Sequence, residues 1–149
     1  MGLRARLSEA MKAALKAKET KRLSAIRLIL AAVQERDVAA RTQDISDEEI
    51  LSVLAKMIKQ REEAATTYEG AGRPELAAKE RDEITVIREF MPKQMEASQA
   101  KAAAEVVIAE LGASSVKDMG KVMAALKERY AGQMDFGKAS GLVKVALGG

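Results

Sequence analysis

Apolar residues recur with a helical period along almost the whole chain. Leu3, Leu7, Met11 and Leu15 fall every fourth residue and predict a helix from about Leu3 to Lys18, with Arg4, Arg6, Lys12 and Lys16 beside or opposite that narrow stripe. A second helix is predicted over Lys21 to Arg36, where Leu23, Ile26, Ile29, Leu30 and Val33 form a wider core face. Arg22, Arg27 and Arg36 fall outside that face. Ser46 followed three residues later by Glu49 has the spacing of a capping box, and Asp47, Glu48 and Glu49 oppose the positive end of the helix dipole. The third helix then carries Ile50, Leu54, Met57, Ile58, Ala65 and Tyr68 inward and ends at Gly70 and Gly72. Pro74, tolerated in a first turn, opens a fourth helix with a stripe of Ile84, Ile87 and Met91, and Pro92 stops it.

Beyond Pro92 the apolar segments are shorter and richer in Gly and Ala. Ser98 is placed to cap a helix running to Leu111, with Gly112 suited to the left-handed position after it. Ser115 opens a helix whose inward side is Val116, Met119, Val122, Met123, Leu126 and Tyr130, and Gly132 ends it. Asp135 caps the last helix, with Leu142, Val143, Ala146 and Leu147 expected to pack inward. No period-two alternation and no fixed-period repeat interrupts this pattern. The expected architecture is all-α and two-lobed, a four-helix lobe over residues 1–92 and a three-helix lobe over residues 93–149.

Composition agrees with helices packed on helices. Of 149 residues 48% are apolar and 32% charged, while aromatics are only 3%, so the core is aliphatic. There is no Cys and no His, which removes disulfides, thiolate or imidazole metal sites, cysteine nucleophiles and imidazole-dependent triads. No apolar run approaches the ~20 residues of a membrane span, and no apolar signal core follows the basic N-terminus. A cytoplasmic protein with no membrane partner is the expectation. Net charge is only +3, but it is unevenly spread. Residues 1–41 hold ten Lys/Arg against four Asp/Glu, residues 42–92 seven against twelve, and residues 93–149 eight against six. The first two segments are complementary, either to each other or to outside partners.

Two short matches to nucleotide-binding motifs fail on context. Gly132 and Gly137-Lys138 have P-loop spacing, but that motif needs a preceding strand and a hydroxyl after the Lys. Here a helix precedes it and Ala139 follows. Asp135-Phe136-Gly137 spells a kinase tripeptide with no other kinase element around it. Adjacent acids such as Glu62-Glu63, Asp82-Glu83 and Asp47-Glu48-Glu49 read as solvated helix faces with bases and caps at hand. No catalytic residue, metal site or cofactor is assigned, although a magnesium site built on carboxylates alone needs few protein ligands. Met119 and Met123, at helical spacing, read as core.

The remaining chemistry is cationic. Lys117, Lys121, Lys127 and Arg129 share one short helix, and Lys138 and Lys144 lie on the next. With almost no aromatics between them, any RNA contact is expected through phosphates and folded shape rather than base stacking. An ordinary solvated lysine face fits the same residues.

Several blocks in order carry a family resemblance: R-L-S-A-I-R-L-I-L-A-A-V, D-E-E-I-L-S-V-L-A-K-M-I-K-Q-R, Y-E-G-A-G-R-P-E-L-A, E-I-T-V-I-R-E-F-M-P-K-Q-M, D-M-G-K-V-M-A-A-L-K and D-F-G-K-A-S-G-L-V-K. The chain resembles the YqeY family over nearly its whole length. That family is similar to the tail of the B subunit of glutamine-dependent tRNA amidotransferase, where the tail helps to hold tRNA and chemistry occurs elsewhere. The resemblance implies two helical lobes, with Lys121, Lys138 and Lys144 as candidate RNA contacts. Lys117, Lys127 and Arg129 would add phosphate pairs, and Gly120 and Gly141 would permit close approach. Backbone N–H groups near Ser115 and Asp135 are further candidates for a phosphate. Ala139, Ser140 and Gly141 stand where many members carry larger or amide-bearing residues, so these small side chains either admit RNA backbone or pack tightly. Expected partners are tRNA or another structured RNA. Alternatives are an adaptor for a translation-related or tRNA-modifying assembly and, from the family label, a carbon–nitrogen ligase using glutamine as amido-N-donor.

Overall fold

The computed structural model describes residues 2–148. Met1 and Gly149, the outer ends of the two expected lobes, lie outside the described residues. Seven α-helices and one 3-10 turn account for the regular structure, and no strand occurs among the described residues. They are α1 (Leu3–Lys16), α2 (Thr20–Ala39), α3 (Asp47–Gly70), α4 (Pro74–Arg88), α5 (Ala97–Leu111), the 3-10 turn Val116–Asp118, α6 (Met119–Arg129) and α7 (Phe136–Ala146). The chain falls into two compact units, Met1–Pro92 and Lys93–Gly149.

In the first unit, Leu3 and Leu7 of α1 are buried, but Leu15 is 57% exposed and Ala14 takes its place in the core. The cause is helical drift. A spacing of four advances about 40° beyond a full turn, so Leu15 ends roughly 120° from Leu3, whereas Ala14 returns to within about 20° of it. Lys18, expected inside α1, instead adopts φ 58° and turns the chain into α2. Leu23, Ile26, Ile29 and Val33 of α2 pack with Ile50, Leu54 and Met57 of α3 and Ile87 at the end of α4. α2 runs three residues past its expected end at Arg36, to Ala39.

That extension places Asp37 in the core, where it is the buried charged residue of the described chain. Arg4 donates to both of its carboxylate oxygens, at 3.1 and 2.8 Å, and the Ile45 N–H donates at 2.9 Å. These hydrogen bonds hold the Asp37 carboxyl below the usual carboxylate range, the Arg4 contact first and the Ile45 N–H second. Asp37 therefore ties α1, α2 and the loop before α3 together. Ser46 caps α3, accepting from the Glu49 N–H at 3.2 Å. α3 and α4 form an antiparallel hairpin closed at Gly72 (φ 71°) and laced by Arg61–Glu83 (2.9 Å), Arg88–Glu62 (2.9 Å) and Arg81–Glu69 (2.5 Å).

The complementary charges of the first two segments meet within this unit. Arg4 reaches Asp44 at 3.2 Å, Arg36 reaches Glu49 at 3.8 Å, and Arg22 pairs with Glu89.

The second unit is a small three-helix core of Ala103, Ala104, Val107, Val122, Leu126, Met134, Ala139, Val143 and Leu147. Its first helix begins earlier than the Ser98 cap predicts: Glu96 is the N-cap, and its own N–H donates to the Gln99 side chain at 2.9 Å. Gly112 closes α5 at φ 62°, as expected for a left-handed C-cap. Val116 is exposed rather than inward, because the chain enters α6 through a 3-10 turn that offsets it from the Val122–Leu126 line. Ala146 is also exposed. The inward line of α7 is Ala139, Val143 and Leu147, and Ala146 lies about 100° round from Leu147.

Candidate nucleic-acid interface

Inward residues fix which way the outward ones point. Val122 and Leu126 seat α6 in the core, so Gly120, Lys121, Ala124, Lys127 and Glu128 are all exposed. Lys121 and Lys127 are six positions apart and flank this outward side about 120° from one another. Glu128 lies between them on the helical wheel, an acid that the basic pattern of the sequence conceals. Lys117 is exposed on the preceding 3-10 turn. Arg129 is exposed but engaged, its Nη1 2.5 Å from Glu110 Oε2 on α5.

On α7, Ala139 and Val143 turn inward, which sends Lys138, Gly141, Lys144 and Val145 to solvent. The small residues at its start therefore divide. Ala139 is 2% exposed and serves packing, whereas Gly141 faces out. A Cβ built on Gly141 meets nothing within 4 Å, and the same is true of Gly120. Neither glycine is demanded by a turn or by a neighbouring helix. Gly141 stands inside an exposed helix at a cost of roughly 1 kcal/mol against alanine, while Gly120 stands in the first turn of α6.

At both helix starts a carboxylate already engages backbone N–H groups. Asp118 accepts from the Ser114 and Ser115 N–H at 3.0 and 3.4 Å. These bonds, and more weakly Lys121, keep its carboxyl below the usual range. Asp135 accepts from the Gly137 and Lys138 N–H at 2.8 and 3.2 Å. The anion sites expected at Ser115 and Asp135 are thus filled by the protein's own carboxylates. The same geometry accounts for the P-loop spacing: Gly132 (φ 74°) turns the chain out of α6, and Asp135 caps α7.

A cleft of about 490 Å³ lies on the same unit, lined in part by Gln94, Met95, Gln99, Tyr130 and Gln133. The sequence held no periodic signal for it, because it forms where the Met95 N–H donates to the Gln133 carbonyl at 2.7 Å. Among the described residues no cluster of acids could hold a metal ion, and no helix is long and apolar enough to cross a membrane.

The cations of the whole chain divide by type. Among the described residues every ion pair has arginine as its cation, and none joins a lysine to a carboxylate within 4.0 Å. Arginine's rigid fork suits fixed carboxylate pairs, while the lysines keep a hydrated, mobile charge.

An all-helical protein with unpaired lysines and open helical glycines is what the geometry defines. The family comparison then gives its kinship. The model described as "Yqey-like protein" matches residues 4–147, and the chain belongs to the YqeY family. Among curated proteins it is similar to "Altered inheritance of mitochondria protein 41, mitochondrial" from several yeasts. Identity is 27% over 103 residues with the Kluyveromyces lactis protein, covering 69% of this chain and 56% of that one. With the Saccharomyces cerevisiae protein it is 27% over 81 residues, 54% of this chain and 44% of that one. With the Lachancea thermotolerans protein it is 26% over 102 residues, 68% and 54%. The chain spans about half the length of the curated relatives it matches.

Proposed function

We propose that this chain is a non-catalytic accessory protein that binds tRNA or another folded RNA through its C-terminal unit. The observation that carries this reading is the pairing of lysines that form no ion pair with open glycines on the outward sides of α6 and α7, although the Lys121 charge also acts on the Asp118 carboxylate. Lys121 accompanies Gly120, and Lys138 and Lys144 flank Gly141. Lysines supply mobile positive charge to phosphates, and a glycine lets a backbone approach a helix closely. Lys117 and Lys127 widen the positive surface, and Arg129 contributes while held by Glu110. The family resemblance read from the sequence, which implies a likeness to the amidotransferase tail, leans the same way. The cysteine-free composition suits a reducing compartment, and we propose the cytoplasm. The yeast relatives bear the word mitochondrial in their names, so an organellar site for the same RNA role is the competing placement.

The test is the double variant Lys121→Glu/Lys138→Glu, titrated against tRNA across a salt series. RNA affinity falls while the helical circular dichroism signal is kept. Unchanged affinity in a folded double variant removes this face from the reading.

A second reading, a protein-interaction adaptor on a translation-related assembly, is favoured by the exposed side chains of Val106, Leu111, Val116 and Val145, the last 76% exposed. Nuclease treatment before co-purification separates the two. Partners lost with RNA support the first, and partners that survive support the second.

A further inference from the structure

Residues 10–34 carry six Lys/Arg and a single acid, Glu19. They span the end of α1, the turn and most of α2. Among the described residues Arg22 alone of the six cations is paired, with Glu19 at 3.8 Å and with Glu89. Lys12, Lys16, Lys18, Lys21 and Arg27 are all exposed, and none has a carboxylate within 4.0 Å among the described residues. Four of these five are lysines gathered at one end of the α1–α2 hairpin. Lys12 and Lys16 share a face of α1, Lys18 occupies the turn and Lys21 stands in the first turn of α2. The nearest acid on the α1 face is Glu9, one turn before Lys12.

The turn itself is fixed. The Ala17 N–H donates to Ala13 O at 3.0 Å, the Lys18 N–H to Leu15 O at 3.2 Å and the Glu19 N–H to Ala14 O at 3.0 Å. The cluster is therefore a preset positive tip rather than a loose tail.

We infer that the α1–α2 turn is a second phosphate-contacting surface, through which Lys12, Lys16, Lys18 and Lys21 engage the sugar–phosphate backbone of a folded RNA. The inference rests on the RNA reading above but on different residues, in the other unit. The composition of the tip selects phosphate over other polyanion carriers. Protein interfaces are depleted in lysine and centre on aromatic anchors, and interfacial membrane helices need a broad apolar face. This tip offers one large exposed apolar side chain, Leu15, with the small Ala13 and Ala17 beside it, amid four lysines and one acid, Glu19.

The experiment measures binding of the full chain to unfractionated tRNA by fluorescence anisotropy, from low to moderate potassium chloride, with three variants. They are the turn variant K12Q/K16Q/K18Q/K21Q, the C-terminal variant K121E/K138E, and L15S. Vesicles containing phosphatidylglycerol form the lipid arm. The turn variant is expected to keep its helicity, to bind about tenfold or more weakly, and to flatten the log–log salt slope by roughly 0.9 for each phosphate it no longer neutralises. L15S is expected to change affinity less than about threefold.

If the turn variant binds as the wild type does while K121E/K138E weakens, the inference is overturned and the C-terminal reading stands. If the turn variant weakens and K121E/K138E does not, the turn stands and the C-terminal site falls. Wild-type chain that ignores tRNA but binds the vesicles through these lysines overturns both in favour of lipid headgroups. A large loss with L15S alone overturns the phosphate assignment in favour of an apolar partner.

Discussion

Replacing Gly141 by alanine separates a glycine kept for a partner from one of no consequence. The new Cβ meets nothing within 4 Å, and the residue lies inside α7, which runs Phe136–Ala146. Helix propensity then favours alanine by about 0.8–1 kcal/mol, with no clash to offset it. In a transition of this small unit that raises Tm by roughly 4–8 °C. The same methyl stands where RNA backbone would approach. Losing one such approach is worth a net hydrogen bond, about 0.5–1.5 kcal/mol, or a two- to twelvefold rise in Kd. Thermal melts by circular dichroism and tRNA titration on the same preparation read the two effects, which carry opposite signs. A stabilised variant with unchanged RNA affinity refutes close approach at this helix. A variant that is not stabilised refutes the premise that the site is open and helical.

Two further outcomes concern the first unit. Leu7→Ala, at a fully buried position, is expected to cost about 2–5 kcal/mol in urea unfolding, whereas Leu15→Ala, at 57% exposure, should stay within about 0.5 kcal/mol; equal losses would contradict the drift of the α1 stripe. Asp37 has its carboxyl lowered by Arg4 and the Ile45 N–H, so its contribution is present above the unfolded aspartate value of about 3.9 and is lost as pH falls through the lower folded value. The stability gap between wild type and Asp37→Asn should accordingly be full near neutrality and shrink on acidification below about pH 4, and a gap that persists unchanged there would show that Asp37 does not act through its charge.

Most of the helical architecture is legible because its signals are local. Ser46 as the cap of α3, Gly112 after Leu111, and Asp135 before Phe136 each act within one helical turn and appear where their chemistry predicts, although Glu49 does not complete the expected capping box and its carboxylate lies 3.8 Å from Arg36 instead. What escaped depends on contacts distant in sequence. Asp37 reads as an ordinary surface acid until α1 folds back and brings Arg4 to it, 33 positions away. Leu15 faces out because four residues exceed one helical turn, a drift that accumulates along the α1 stripe, whereas Ala146 faces out because it lies about 100° round from Leu147. The candidate site was legible as residue types and not as directions. Gly141 and Ala139 look alike in sequence, yet only burial shows that one faces solvent and the other the core.

The division of labour between the two basic residue types links the fold to the proposed function. Arg61, Arg81 and Arg88 lace α3 to α4, Arg4 anchors Asp37, and Arg129 ties α6 to α5. Among the described residues, eight of the eleven arginines are thus engaged with carboxylates, in both units. No described lysine is in an ion pair, and four of them gather where acids are sparse, at the α1–α2 turn, while Lys121, Lys138 and Lys144 lie beside exposed glycines on α6 and α7. A chain with net charge of only +3 gains a useful field in this way. Where arginine takes up carboxylates and lysine does not, lysine carries much of the charge presented outward, and that is the charge the proposed RNA contact would use.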